Sequence, residues 1–168
     1  MEEEKRGFDP IENHAIPGRY EIELKPNEEK NISFVFSLEE NIDEIKAEDV
    51  IKQEEVRLKK IVTDTGLINE NTEDKELIED FIITTDSFIA YRPSFGLHTI
   101  IAGYPWFLDW GRDSLIAFEG LLLKTKRFDI AKEVLLTFIR DIKYGLVPNG
   151  YSGYDNRPLY NSADASLL

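Results

Sequence analysis

The sequence predicts a mainly α-helical fold built from helix pairs, with one short β-hairpin ahead of the helices. Three observations support this prediction. Apolar residues recur at helical spacing in four segments after residue 41. Two short β-favouring runs flank a polar turn before that point. Long loops rich in aromatic and polar residues join the later helices, as expected where helix packs on helix.

The predicted hairpin consists of the runs YEIEL (20–24) and ISFVF (32–36), joined by the polar segment KPNEEKN. Tyr20, Ile22 and Leu24 alternate with glutamates and therefore share one face of the first strand. Two strands do not form an independent sheet in water, and the chain offers no obvious further partner. We therefore expect the β segment to be the remnant of a larger β structure.

The first two helices are predicted from periodicity and from capping residues. A charged helix over residues 43–63 keeps one apolar stripe and has the character of a linker. The next helix begins near Asn71 or Thr72, either of which can cap it, and extends to Ile89 before RPSFG breaks it.

The following segment, HTIIAG, predicts one short extended stretch. A third helix over residues 112–124 is apolar nearly all round and is expected to be buried. A fourth, over residues 128–143, has clean helical spacing and is expected to end at Gly145. The last residues, up to Leu168, predict the start of a fifth helix.

Composition excludes several classes of protein. With a net charge of -13, the 168-residue chain lacks the clustered cations that nucleic acids require. It has no cysteine, and its histidines, His14 and His98, are far apart, so we expect no metal and no other cofactor. The acidic N-terminus has no signal-peptide character and no apolar run reaches membrane-spanning length, which predicts a cytoplasmic protein without membrane partners.

Two loops carry most of the residues suited to binding or catalysis. We call them the rim loops: 103–113 and 149–164. Both precede helices, so antiparallel helix pairs would bring them to the same end of the fold. Their aromatic rings offer flat faces to a sugar ring, while Asp, Asn and Arg match its hydroxyl groups. This mixture favours a carbohydrate ligand over an anionic one.

Glycoside hydrolysis needs two carboxyl groups roughly 5 to 9.5 Å apart, one acting as an acid and one as a base or nucleophile. The candidates are Asp109, Asp113, Asp155 and Asp164. Structural alternatives remain open for each, because Asp113 and Asp164 can cap helices and the other two can form turns. The two tryptophans of the first rim loop can likewise be packing residues, and Arg112 can form a structural ion pair with Asp113.

Three segments resemble one family. AGYPWFLDWGRDSLIAFEGLLL is similar to the opening of the catalytic domain of glycogen debranching enzymes of the amylo-alpha-1,6-glucosidase type, and LYNSADASL resembles a second motif of that domain. FDPIENHAIPGRYEIELKPNEEK resembles the tail of the β-rich N-terminal domain of prokaryotic members. The resemblance implies three regions: the tail of a β-rich domain (1–41), a charged linker helix (42–66) and the first helices of a truncated catalytic domain (67–168).

The resemblance also implies a fold, an activity and roles for named residues. The catalytic domain would be an incomplete (α/α)6 barrel, a toroid of helix pairs that hydrolyses alpha-1,6-linked glucose at glycogen or limit-dextrin branch points with inversion. Asp164 would be the general acid. Leu108 stands where the family often has a small residue, which would reshape the pocket. The residues expected to bind the glucose are Trp106, Asp109, Trp110, Arg112, Asp113 and Tyr160.

The expected general base lies downstream in similar enzymes, so we expect these 168 residues to be inactive alone. The partner would be an alpha-glucan or a branched oligosaccharide, and exposed apolar surface would favour self-association. Two alternatives remain open: a glucoamylase-like hydrolase of alpha-1,4 links, and a carbohydrate-binding module without catalysis.

Overall fold

The chain divides into two units, Met1–Asp43 and Glu44–Leu168. A computed structural model describes residues 2–5, 7, 11, 13–37, 45–104, 107–153 and 155–168. Among these residues, no helix combines the length and the apolar character needed to cross a bilayer.

The first unit contains a one-turn helix, α1 (Glu2–Lys5), and two extended runs joined by a turn. The predicted turn is present, because the Glu28 amide donates to the Lys25 carbonyl at 3.0 Å. The rings of Tyr20 and Phe34 meet edge to face, with 5.0 Å between centroids. Within 13–37, however, no strand forms, so the predicted strand pairing is wrong. Both runs are largely exposed, and two runs without further strands do not form a stable sheet in water.

The second unit begins with α2 (Ala47–Thr65), close to the predicted helix over 43–63; residues 43 and 44 lie outside the described residues. Gly66 ends it in the left-handed conformation, with φ of 64°. The helix α3 (Lys75–Ser87) follows. Asp86 joins these elements, because its carboxylate accepts hydrogen bonds from Arg57 of α2 and, at 2.9 Å, from Arg127.

An antiparallel hairpin follows α3, formed by β1 (Ile89–Arg92) and β2 (Leu97–Ile100). Ile89 pairs with Ile100 and Arg92 with Leu97. The extended stretch predicted at HTIIAG is therefore confirmed in β2. The prediction that the second helix reaches Ile89 is wrong, because the segment RPSFG returns the chain as a hairpin turn and gives β1 a partner strand.

The next helix, α4 (Gly111–Phe118), continues into a π-helical segment (Glu119–Leu123), and α5 (Phe128–Ile139) follows it. Both helices lie where the sequence predicts them. The expected burial of the third helix is only partly correct: Leu122 is fully buried, whereas Ile116 is 64% exposed. The α5 helix ends at Ile139, before the predicted Gly145, because the chain then turns through a bridge between Lys143 and Leu146.

The main core lies where the hairpin, the π-helical segment and α5 meet the second rim loop. Its fully enclosed members come from each of these elements, and the half-buried Phe88, Phe95 and Phe118 pack around them. This packing anchors the hairpin and the rim loop to α5. The buried members are Ile100, Leu122, Ala131, Val134, Phe138 and Tyr151.

The chain closes with two short strands, β3 (Gly150–Tyr151) and β4 (Pro158–Leu159), and a 3₁₀ turn (Asp164–Ser166). The fifth helix predicted at this end is thus represented by one 3₁₀ turn. Taken together, the elements confirm the prediction of a mainly helical fold.

Candidate functional site

The two rim loops meet at the start of α4, as the sequence predicts. The Gly111 amide donates to the Asn149 carbonyl at 2.7 Å, and the Arg112 amide donates to the Asn149 side-chain oxygen at 3.3 Å. Trp110 forms an antiparallel bridge with Gly150. A Cβ on Gly111 would lie 2.3 Å from the Pro148 carbonyl oxygen, so only glycine allows this approach.

The most prominent charged pair at this junction joins Arg112 to Asp164. Arg112 Nε lies 2.6 Å from Asp164 Oδ2, and Arg112 Nη2 donates to Asp164 Oδ1 at 3.1 Å. Both side chains are about half exposed, at 48% and 51%. The pair therefore presents a forked donor and a carboxylate to solvent, a combination suited to sugar hydroxyl groups.

Further donors surround the Asp164 carboxylate. The Ser162 hydroxyl and, at 3.0 Å, the Ala165 amide donate to Oδ1. The Ser162 hydroxyl and the Arg112 guanidinium lower the pKa of Asp164 to about 2. In this arrangement Asp164 is ionised at neutral pH, and it accepts hydrogen bonds rather than donating a proton.

Asp109 has a different environment from Asp164. It is 2% exposed, and its carboxylate accepts hydrogen bonds from Arg92 and, at 3.2 Å, from the Thr99 hydroxyl. Arg92 also donates to the Asn156 side-chain oxygen at 2.6 Å. One guanidinium thus joins β1 to both rim loops, and Asp109 is positioned as a buried anchor of the first.

A surface cavity of about 300 Å³ lies over this buried pair. We call it the Tyr91 cavity. Arg92 and Asp109 form its polar side, and Tyr91, Phe107 and Leu108, all exposed, form much of its apolar side. Leu108 also faces Gly153, where an added Cβ would lie 3.1 Å from its side chain. Leu108 therefore shapes the contact between the rim loops.

Asp113 lies in the first turn of α4 but faces a different surface from Arg112. It lines an apolar cavity of about 290 Å³ together with Phe88, Ile100 and Ile116. Arg112 forms its ion pair with Asp164 rather than with the adjacent Asp113. The two residues predicted to grip one glucose thus point to neighbouring but distinct parts of the site.

The aromatic candidates differ in their environments. Trp106 lies outside the described residues. Trp110 is half-buried at the N-terminus of α4, and its carbonyl accepts a hydrogen bond from the Ser114 amide at 2.9 Å. Tyr160 donates its hydroxyl to the Asp141 carbonyl at 2.6 Å, so its polar end is held by the protein. Asp155, a further candidate carboxylate, pairs at 2.9 Å with the exposed Arg157, two residues later.

An aromatic and cationic cluster supports the second rim loop. The guanidinium carbons of Arg92 and Arg140 lie 4.4 and 3.8 Å from the Phe95 ring centroid, and the Tyr151 ring lies 4.7 Å from it. The Tyr151 hydroxyl is buried against Thr137 and Asp141, and this burial raises its pKa. The tyrosine therefore stays protonated and packs the loop on α5.

Three residues that position the site were not singled out by the sequence analysis: Arg92, Asn149 and Ser162. Arg92 and Asn149 act through partners far away in the chain, such as Asn156 and Gly111, whereas Ser162 acts on Asp164 two residues later. Local residue patterns carry little information about such contacts. The second rim loop was predicted to begin at Asn149, but this boundary does not indicate the role of that residue.

Comparison with known proteins identifies a family and a relative with a known name. The sequence profile of the family described as Amylo-alpha-1,6-glucosidase matches residues 83–168, just over half of the chain. A glycogen debranching enzyme of Saccharomyces cerevisiae is 40% identical over 79 residues, covering 44% of this chain and 5% of the yeast protein. The chain therefore spans only a small part of that relative. No solved structure matches the chain.

Proposed function

This chain belongs to the amylo-alpha-1,6-glucosidase family, and we propose that its rim loops form part of the glucosyl-binding site of a glycogen debranching glycoside hydrolase. The observation that carries the proposal is the exposed pair of Arg112 and Asp164 at the start of α4. These residues come from the two segments whose sequences resemble the family's motifs. The substrate would be an alpha-glucan with alpha-1,6-linked glucose at its branch points.

In this proposal Asp164 is the general acid. It would give its proton to the glycosidic oxygen while the bond from C1 to that oxygen breaks and the electron pair leaves with the oxygen. A water molecule would add to C1 from the opposite face, with inversion, and lose its proton to a base that we do not assign within this chain. Arg112 would hold glucosyl hydroxyl groups through its planar fork of donors.

The remaining candidates would shape the site. The exposed apolar side chains of the first rim loop would pack on the sugar. Trp110 would lie at the edge of this contact, and Trp106 is close to these residues in sequence. Asp113, in its apolar cavity, would accept a hydroxyl hydrogen bond. We propose that Asp109 and Tyr160 contribute indirectly, by holding the rim loops in place around the sugar. Their own polar groups are already hydrogen-bonded within the protein. The protein would act in the cytoplasm.

One observation favours a second function. Because Asp164 is ionised beside Arg112, the pair is also suited to binding sugar hydroxyl groups without catalysis. In a carbohydrate-binding module, Asp164 would stay ionised beside Arg112 both before and after the sugar binds. Catalysis instead requires Asp164 to be protonated when the substrate is bound.

Glucose release from an alpha-1,6-branched oligosaccharide, measured with the full-length protein, tests the proposal. Asp164→Asn is expected to lower kcat by at least ~10²-fold, because an amide has no acidic proton to transfer. Asp64→Asn is the matched control, because Asp64 is exposed on α2 and pairs with Lys60 in the same helix. Sugar binding without turnover by the wild type would favour the binding module, and full activity of Asp164→Asn would refute the assigned role.

A further inference from the structure

The hydrogen bonds around Asp164 conflict with the role of a proton donor. Oδ2 faces the Nε–H of Arg112 at 2.6 Å, so a proton on Oδ2 would meet a second donor. Oδ1 receives hydrogen bonds from Ser162, Ala165 and Arg112 Nη2. A proton on Oδ1 would point to the Ser162 hydroxyl rather than to solvent. Neither oxygen can pass a proton to a bound sugar while Arg112 stays in place.

We propose that Arg112 is a substrate-operated latch: a bound glucosyl unit draws its guanidinium away from Asp164, and Asp164 then takes up the proton that it later donates. This inference rests on the proposed function. Asp164 is then ionised when no sugar is bound and protonated when a sugar is bound. The position of the Arg112 side chain decides between these two states.

The geometry allows this movement. Both partners are about half exposed, so the ion pair can open without disrupting the core. The Arg112 backbone is held independently, because its amide donates to Asn149 and its helix starts at Gly111 against the same residue. The side chain can therefore swing from a fixed point. Sugar hydroxyl groups supply acceptors that replace the carboxylate as partners for the guanidinium.

The electrostatics favour a rise in the pKa of Asp164 when Arg112 moves away. An adjacent guanidinium typically lowers the pKa of a carboxyl group by about 1–3 units, and this lowering is lost when it leaves. A sugar packed over Asp164 also excludes water, which penalises the charged form and raises the pKa further. Asp113, in the next position of α4, acts on Arg112 instead, because its negative charge raises the pKa of the guanidinium and keeps it charged. Ser162 opposes the change, because its hydroxyl bond to Oδ1 remains.

Because of the latch, sugar binding is coupled to the uptake of a proton by Asp164. Because the pKa of Asp164 is higher in the complex than in the free protein, binding is tighter at low pH. The affinity is expected to rise as the pH falls through the raised pKa, and to level off near the free value of about 2. A purely structural ion pair would produce no such dependence.

Carbon NMR of the protein labelled at aspartate Cγ, with isomaltose as the probe, tests the inference. The Asp164 signal is assigned by its loss in Asp164→Asn, and binding is followed independently by tryptophan fluorescence. We expect a titration midpoint near 2 without isomaltose and a rise of about one unit or more at saturation. Arg112→Met should raise the midpoint without any sugar, whereas Arg157→Met, which removes the exposed partner of Asp155 in the same loop, should leave it unchanged.

The outcomes separate this inference from the proposed function. Binding of isomaltose with no change in the Asp164 midpoint would overturn the latch and leave the sugar site intact. A midpoint unchanged by Arg112→Met, with folding confirmed by circular dichroism, would also overturn it. Absence of binding would overturn the proposed function and the latch together. If Arg112→Met fails to fold, Arg112→Gln removes the charge but keeps a polar side chain, and a midpoint unchanged in that variant counts against the latch.

Discussion

Arg92 donates a hydrogen bond to the buried carboxylate of Asp109, joining the end of β1 to the first rim loop. The same guanidinium reaches Asn156 in the second rim loop and lies over the Phe95 ring. Three segments that are distant in sequence therefore depend on one side chain. This arrangement, rather than any local pattern, holds the candidate site together.

Arg92→Met is expected to destabilise the protein by about 3–5 kcal/mol, because it leaves the Asp109 carboxylate buried without its partner. Urea denaturation measures this change. Arg19→Met is the control, since Arg19 is exposed and pairs with the exposed Glu21, and it should change stability by less than ~1 kcal/mol. Equal effects of the two substitutions would contradict the anchoring role of Arg92.

Gly111→Ala is expected to cost about 1–3 kcal/mol, because its Cβ would lie 2.3 Å from the Pro148 carbonyl oxygen and would push the rim loops apart. Thermal unfolding should show the loss. Gly120→Ala is the matched control in the π-helical segment, where an added Cβ meets nothing within 4 Å. It should be neutral or stabilising by up to ~1 kcal/mol, since alanine favours helical backbone. A stability gain for Gly111→Ala would show that the loops do not meet as described.

The contact of Glu133 with His98 is expected to make stability depend on pH. Glu133 accepts hydrogen bonds from the His98 amide at 2.9 Å and from its ring nitrogen at 2.7 Å, and these bonds lower the pKa of Glu133. A lowered pKa means that the contribution is complete above the ordinary glutamate value of 4.5 and is lost as pH falls through the lowered value.

Glu133→Gln should therefore reduce the loss of unfolding free energy as the pH falls below 4.5, measured by urea denaturation at several pH values. Glu55→Gln, on the exposed surface of α2, is the control and should keep the wild-type slope. A wild-type slope in Glu133→Gln would mean that other carboxyl groups cause the acid sensitivity.

Self-association is expected through the apolar surface where α5 meets the π-helical segment. Leu123, Phe128, Leu136 and Ile139 are exposed there and line one shallow cavity. The net charge of -13 opposes association between copies, so added salt should promote it. Light scattering of the wild type and of Ile139→Glu checks this, with a smaller average mass expected for the variant. A monomer at every salt concentration would rule out this interface.

Much of the helical content could be predicted from the sequence, because helix formation depends on residues close in the chain. The apolar spacing of Val134, Phe138 and Ala131 marked α5, and Gly66 ended α2 in the left-handed conformation. The strands were harder to predict from the sequence, because a strand forms only when a second strand pairs with it. Ile89 was assigned to a helix on its apolar spacing, although the returning chain pairs it with Ile100.

The candidate site was predictable in content but not in arrangement. The sequence identified Arg112, Asp113 and Asp164 by residue type and by resemblance to a family, which the profile match over residues 83–168 then established. It did not indicate that Arg112 would pair with Asp164 rather than with its neighbour. On a helix, successive side chains point about 100° apart, so adjacency in sequence separates Arg112 from Asp113 in space.

The sequence alone therefore determined the helical class, the position of the rim loops and the family, because these depend on local spacing and residue identity. Only the tertiary structure decided which charges meet: Arg92 with Asp109 in the interior, and Arg112 with Asp164 at the surface. The difference in burial makes the first pair an anchor and allows the second to open. Burial and pairing arise from contacts between segments that are distant in the chain, which local spacing does not encode.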